Sequence, residues 1–196
     1  MIQFQTAFAD QVRAAIPADN QRPIRVWASN ERRFGLHTVR RRRITARGSK
    51  PIGLYQQRFE NTWVFGAVEP ATGASHFMEF PTLDAAMVQQ FLDDFARTNP
   101  EPLHVILMDN ARSHTAKTLV LPPNVVLVFQ PPYSPEVNPC EWVWQAIKAA
   151  IAWEPFATLD ALRQRLITVF QAYTTTMLQS LTGYPYFVAA VHALSL

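Results

Sequence analysis

The sequence predicts an α/β domain, a mixed five-stranded sheet flanked by helices, and three observations carry that expectation. Two nearly continuous apolar runs, Leu103–Met108 and Val125–Phe129, have the character of strands covered on both faces. Two earlier segments flank a proline- and glycine-containing turn, as the strands of a hairpin do. Stretches with apolar residues at helical spacing precede, separate and follow these strands.

Taken in order, residues 4–16 place Phe4, Phe8, Val12 and Ala15 on one helical face, and Pro17 closes the run. Residues 24–28 alternate as a strand that runs into the polar group Ser29, Asn30 and Glu31. Residues 62–68 and 74–80 flank Glu69-Pro70-Ala71-Thr72-Gly73 and read as a β-hairpin. Asp84 is placed to cap a helix over 85–96, whose buried face is Met87, Val88, Phe91, Leu92 and Phe95. The first apolar run ends at Asp109. The second ends at Gln130-Pro131-Pro132-Tyr133-Ser134-Pro135, which can neither continue as strand nor begin a helix. Helices are expected over 139–151 and 159–181, with Pro185 ending anything beyond. The early strands meander antiparallel, and the later two lie parallel to the first. Chemistry in such sheets sits beyond the strand carboxyl ends, which would gather Asn30, Asp109 and the loop before Glu141.

Composition narrows the class. The 196 residues suit one compact domain, and 48% hydrophobic with 17% charged residues exclude wholesale disorder. Cys140 is the single cysteine, so no intrachain disulfide forms, and it reads as a small apolar residue in a reducing compartment. No apolar stretch reaches the ~18 residues of a membrane span, and no signal pattern opens the chain. A cytoplasmic, membrane-free protein is expected. The formal net charge of +3 is concentrated: Arg40, Arg41, Arg42 and Arg43 are contiguous, with Arg47 and Lys50 beside them. Such a run is either a solvated loop or a contact for a phosphate backbone.

Two carboxylates stand out. Asp109 follows directly on Val-Ile-Leu-Met and opens the polar cluster Asp-Asn-Ala-Arg-Ser-His, which ends at His114. A strand-end carboxylate can project into a cleft, although an isolated Asp more often shapes a turn. Glu141 lies in Asn138-Pro139-Cys140-Glu141, a pattern that reads as a capping box and by itself needs no further role. Gln145 and Lys148 share its helical face. His114 either touches a phosphate or is simply hydrogen-bonded. Trp142, Trp144 and Tyr133 read first as packing and turn residues.

The segment from Pro131 to Trp144, Pro-Pro-Tyr-Ser-Pro-Glu-Val-Asn-Pro-Cys-Glu-Trp-Val-Trp, resembles the signature of the mariner-related bacterial insertion-sequence transposases, a branch of the DDE superfamily endonucleases. Leu107-Met108-Asp109-Asn110-Ala111-Arg112-Ser113-His114 resembles the family's second carboxylate motif, and Val26 to Leu36 its first. The spacing of 31 residues between Asp109 and Glu141 is near the family's own. The resemblance implies a ribonuclease-H-like catalytic domain over residues 23–196, preceded by an N-terminal helix and linker over 1–22. It implies Mg²⁺ or Mn²⁺ in a two-metal site held by Asp109 and Glu141, with position 30 completing the set. It implies DNA contacts from Arg40, Arg41, Arg42, Arg43, Arg47, Lys50, His114 and Lys148. It further implies cleavage and transfer of DNA strands, self-association as a homodimer, and end recognition by helix-turn-helix modules that either a separate N-terminal chain supplies or that this chain lacks as a truncated remnant or second reading frame.

One departure matters. The family has aspartate where this chain has Asn30, followed by the glutamate seen here as Glu31. Asparagine offers one neutral carbonyl oxygen, whereas Mg²⁺ favours anionic ones, so weakened metal binding and impaired cleavage are expected. Glu31 is not expected to substitute, because the next residue on a strand faces the other way. Two rival readings remain: a catalytically dead DNA-binding remnant, and another nuclease of the same fold.

Overall fold

The computed structural model describes residues 2–42, 44–50 and 52–194. Arg43, one of the expected DNA contacts, lies outside the described residues. The elements run α1 (Ile2–Ala15), β1 (Ile24–Gly35), β2 (Asn61–Val68), β3 (Ser75–Phe80), α2 (Ala85–Thr98), β4 (Leu103–Met108), β5 (Val125–Phe129), α3 (Cys140–Ala150), α4 (Leu159–Ala172), α5 (Thr175–Thr182) and α6 (Pro185–Leu194). One sheet has the order β3-β2-β1-β4-β5. β1, β2 and β3 are antiparallel neighbours, while β4 pairs parallel with β1 and with β5.

Two cores follow from this. On one face, α2 lays Val88, Phe91, Leu92 and Phe95 against Trp27, Phe65, Ile106 and Met108. Asp84 caps that helix as expected, accepting from the Met87 amide at 3.0 Å. On the other face, residues from α1, α3, α4, α5 and α6 cover Val26, Ala28, Val64, Val105 and Leu107. Every residue of β4 is buried, which explains its unbroken apolar run. α1 packs on α6 through Phe8, whose ring centroid lies 4.8 Å from that of Phe187.

Three expectations need correction. β1 does not stop at residue 28 but continues through Asn30 and Glu31 to Gly35, because β2 pairs with it from Ala28 onward. The single helix over 159–181 is two helices, since Thr174 takes an extended backbone and caps a new one through the Met177 amide. Pro185 does not end the helical region; it opens α6, a position where proline lacks nothing a helix needs.

The length mismatch between β1 and β4 makes the cleft. Their last registered pair is Ala28 with Leu107, and β4 ends one residue later, at Met108. Beyond it, β1 keeps β2 on one side and has no strand on the other. Two side chains satisfy the exposed edge. Asn138 Nδ2 donates to the Ser29 carbonyl at 2.9 Å, and the Glu31 amide donates to Asn30 Oδ1 at 2.7 Å.

Candidate active site

Asn30 and Asp109 each stand two residues past that last pair, so the register alone brings them level at the mouth of the cleft. Glu141 arrives from the first turn of α3. Asn138 docks that helix start on β1: its Oδ1 accepts from the Cys140 amide at 3.0 Å while its Nδ2 holds Ser29. α3 can lie this close because β2 carries Gly66, where a Cβ would meet the Phe77 and Trp144 rings at 2.7–2.8 Å. The capping box does not form. The Asn138 amide donates to Pro135, and Glu141 Oε1 instead accepts from Asn30 Nδ2 at 2.8 Å.

Asp109 is half exposed, with 42% of its side chain accessible. Its Oδ1 accepts from the Ala111 amide at 2.9 Å, an Asx turn, and from His114 Nδ1 at 2.6 Å. His114 is only 1% exposed in its side chain, and its Nε2 lies 3.2 Å from Glu31 Oε1. Burial alone would push the imidazole down, but Asp109 and Glu31 outweigh it and hold its pKa up at about 10. The same contact with His114 holds the Asp109 carboxyl below its usual range. Burial pushes the Cys140 thiol up, so it is no nucleophile and packs as the small apolar residue expected.

The structure joins Asn30 to Glu141 by one hydrogen bond and Asp109 to Glu31 through His114. Of the two readings of His114, the structure shows the hydrogen-bonded one, with the ring between Asp109 and Glu31. Arg40, Arg41, Arg42, Arg47 and Lys50 are exposed on an irregular arm, residues 36–60, and line neither cavity flanking the carboxylate pair. Lys148 lies on α3 two turns beyond Glu141, where burial, Arg32 and Arg33 push its ammonium down. Trp144 is core, and Trp142 is part-exposed with its indole N–H on the Tyr184 hydroxyl. The Glu31–His114 contact escaped the sequence reading. Its one signal is a lone buried-strand glutamate followed, far along the chain, by a histidine in a polar turn.

The residues present do not fit a complete two-metal site. Asn30 turns its N–H toward Glu141 and its carbonyl oxygen toward the Glu31 amide, so it aims no oxygen at the cleft. Among the described residues, no group of three or more His, Cys, Asp or Glu is arranged to hold a metal ion.

A mixed sheet of this order, with helices packed on both faces, has the ribonuclease-H-like fold. The chain belongs to the DDE superfamily endonuclease family, whose model matches residues 25–163. It is 37% identical over 87 residues to the uncharacterized protein y4pE/y4sA of Sinorhizobium fredii, covering 44% of this chain and 64% of that protein. Its fold is similar to that of the Mos1 transposase in a paired-end complex with the left transposon end. That match has a TM-score of 0.67 and 18% identity, covering 96% of this chain and 60% of that one. The Mos1 mariner paired-end complex solved with Mn matches with a TM-score of 0.64 and 17% identity, covering 98% of this chain and 57% of that one. The chain spans less than two thirds of the length of each of these relatives.

Proposed function

We propose that the chain is the catalytic domain of a DNA transposase whose acidic site is one carboxylate short, so that it holds DNA but cuts it poorly. The observation that carries this reading is the hydrogen bond from Asn30 Nδ2 to Glu141 Oε1 at 2.8 Å. An amide donor stands where a cleavage site of this family needs an anion shared between metal ions. Asp109 and Glu141 are the residues that would hold Mg²⁺ or Mn²⁺, and a bound ion would supply water activation and leaving-group stabilisation. The Mos1 complexes solved with Mn and with Mg support divalent-ion chemistry in the family. DNA is the partner, as in the Mos1 complexes with transposon ends. Self-association draws support from the 36–60 arm, which exposes Ile44, Ile52, Leu54 and Phe59. Among the described residues no helix is long and apolar enough to cross a membrane.

The test is nicking of a labelled duplex with Mn²⁺. The chain itself should nick weakly or not at all. Asn30→Asp should gain activity, and adding Asp109→Ala should remove it. Nicking by the unaltered chain at the rate of Asn30→Asp would overturn the reading. Duplex binding with no nicking by any variant would leave the dead DNA-binding remnant as the better description.

A further inference from the structure

A cavity of about 410 Å³ lies between the end of β1, the base of the 36–60 arm and the last turns of α3. Arg33, Arg58 and Lys148 bring three cations to it, His37 adds a polar ring, and Phe34 and Phe59 line it with apolar surface. Glu60 is its one acidic lining residue and is already paired with Arg58. Arg58 is further held by the Ala157 carbonyl, at 2.5 Å. Among the described residues, neither Arg33 nor Lys148 has an ion-pair partner. The Lys148 ammonium is pushed down by burial and by its neighbours Arg32 and Arg33, which together outweigh the opposing pull of Glu141.

Building on the DNA-binding reading above, we propose that this pocket seats one phosphate of the nucleic-acid backbone on the strand leading away from Glu141 along α3. Arg and Lys converging on one cavity match a phosphate's charge and its several acceptor oxygens. The apolar walls lower the local dielectric and strengthen the attraction. Glu141 and Lys148 share a face of α3, seven residues apart. At ~1.5 Å per residue that is ~10.5 Å, or about three nucleotides at ~3.4 Å of rise each. The seat therefore lies about three nucleotides from the position facing the acidic pair.

The experiment measures affinity for a labelled blunt duplex between ~50 and ~200 mM salt, without divalent ions, where each phosphate contact contributes ~0.9 to the slope of log K against log salt. The unaltered chain is compared with the double variant Arg33→Gln/Lys148→Gln and with Arg97→Gln, a change in an exposed α2 arginine that pairs with Asp94. The double variant should lose ~0.9 of slope and Arg97→Gln none. A double variant with the unaltered slope, still binding duplex, overturns the pocket and leaves the DNA reading standing. Failure of the unaltered chain to bind any duplex overturns that reading and the pocket's role with it. The free-phosphate arm replaces chloride with inorganic phosphate at constant ionic strength. Thermal protection of the unaltered chain alone, with no change of slope, assigns the cavity to free phosphate and overturns the backbone assignment.

Discussion

Two buried histidines stand at opposite ends of β4, and they are held in opposite charge states. His104 opens the strand. Its Nδ1 accepts from Trp27 Nε1 at 3.0 Å and its Nε2–H donates to the Asn99 carbonyl at 2.8 Å, which fixes a neutral ring. Burial, the largest influence on it, pushes its pKa below the ordinary value. His114 follows the strand's far end and lies between Asp109 and Glu31, which hold it up at about 10. Both rings are buried, so burial alone does not set their charge; the partners do. The surroundings repeat the contrast. Near His104, Glu69 is matched by Arg25, whose Nε and Nη2 donate to its two carboxylate oxygens at 3.1 and 2.6 Å. Near His114, Asp109 and Glu31 share one imidazolium, and the direct partner of Glu141 is an amide. The end of the sheet with balanced charge reads as structure. The end where two carboxylates share one imidazolium is where the proposed metal ligands lie.

The sharpest way to break this comparison is His114→Ala. It strands Glu31, only 4% exposed in its side chain, without a counter-charge. Removing one partner of a buried ion pair costs ~3–5 kcal/mol, and the melting temperature should fall by roughly 10 °C. Melting at the unaltered temperature would show that the two carboxylates do not depend on the imidazolium.

Titration separates the two ends next. Because the folded pKa of His114, about 10, exceeds the ordinary 6.5, its contribution is full below pH 6.5 and drains away as pH rises toward 10. His104 has the opposite sign: its folded pKa is depressed, so its contribution is full above pH 6.5 and is lost as pH falls below that value. Urea midpoints across this range should decline on both sides. His114→Gln should flatten the alkaline side alone, and flattening of the acid side instead would reverse the assignment.

The smallest expected effect is thermodynamic. Asn30→Asp places a carboxylate against Glu141 where an amide now donates. Without divalent ions it should cost about 1–2 kcal/mol through lost hydrogen bonding and like charge. Mn²⁺ should return that stability by binding the folded state, and thermal melts with and without the ion measure it. A variant insensitive to Mn²⁺ would mean that position 30 does not complete a metal site.

Where pattern is local, the sequence was readable. β4 and β5 announced themselves as apolar runs, and Asp84 as a cap, because each signal fits within a few residues. The second half of β1 did not, since Asn30, Glu31, Arg32 and Arg33 carry none of the alternation of a half-buried strand. They are strand because β2 pairs with them, and they are polar because the other edge faces the cleft. The break before Thr175 hid inside a continuing helical period, and only the small hydroxyl of Thr174 marks it. At the candidate site, motifs singled out Asp109 and Glu141. The Asn30–Glu141 and Glu31–His114 contacts span 111 and 83 positions respectively, and no local pattern reports them. Glu141 also illustrates a limit of local rules, since its capping-box pattern is real but its side chain is engaged elsewhere.

The mouth of the cleft is an aperture whose width is set by where one strand stops. Since β1 already runs past β4, two further residues of extended backbone after Met108 would bond to the β1 edge now served by Asn138 and Asn30. Asp109 would then sit inside the sheet and the opening would shut, with no side chain of the candidate site replaced. Opening the site by ending a strand rather than by carving a loop ties the geometry of its acidic groups to backbone register, the least compliant dimension of a sheet.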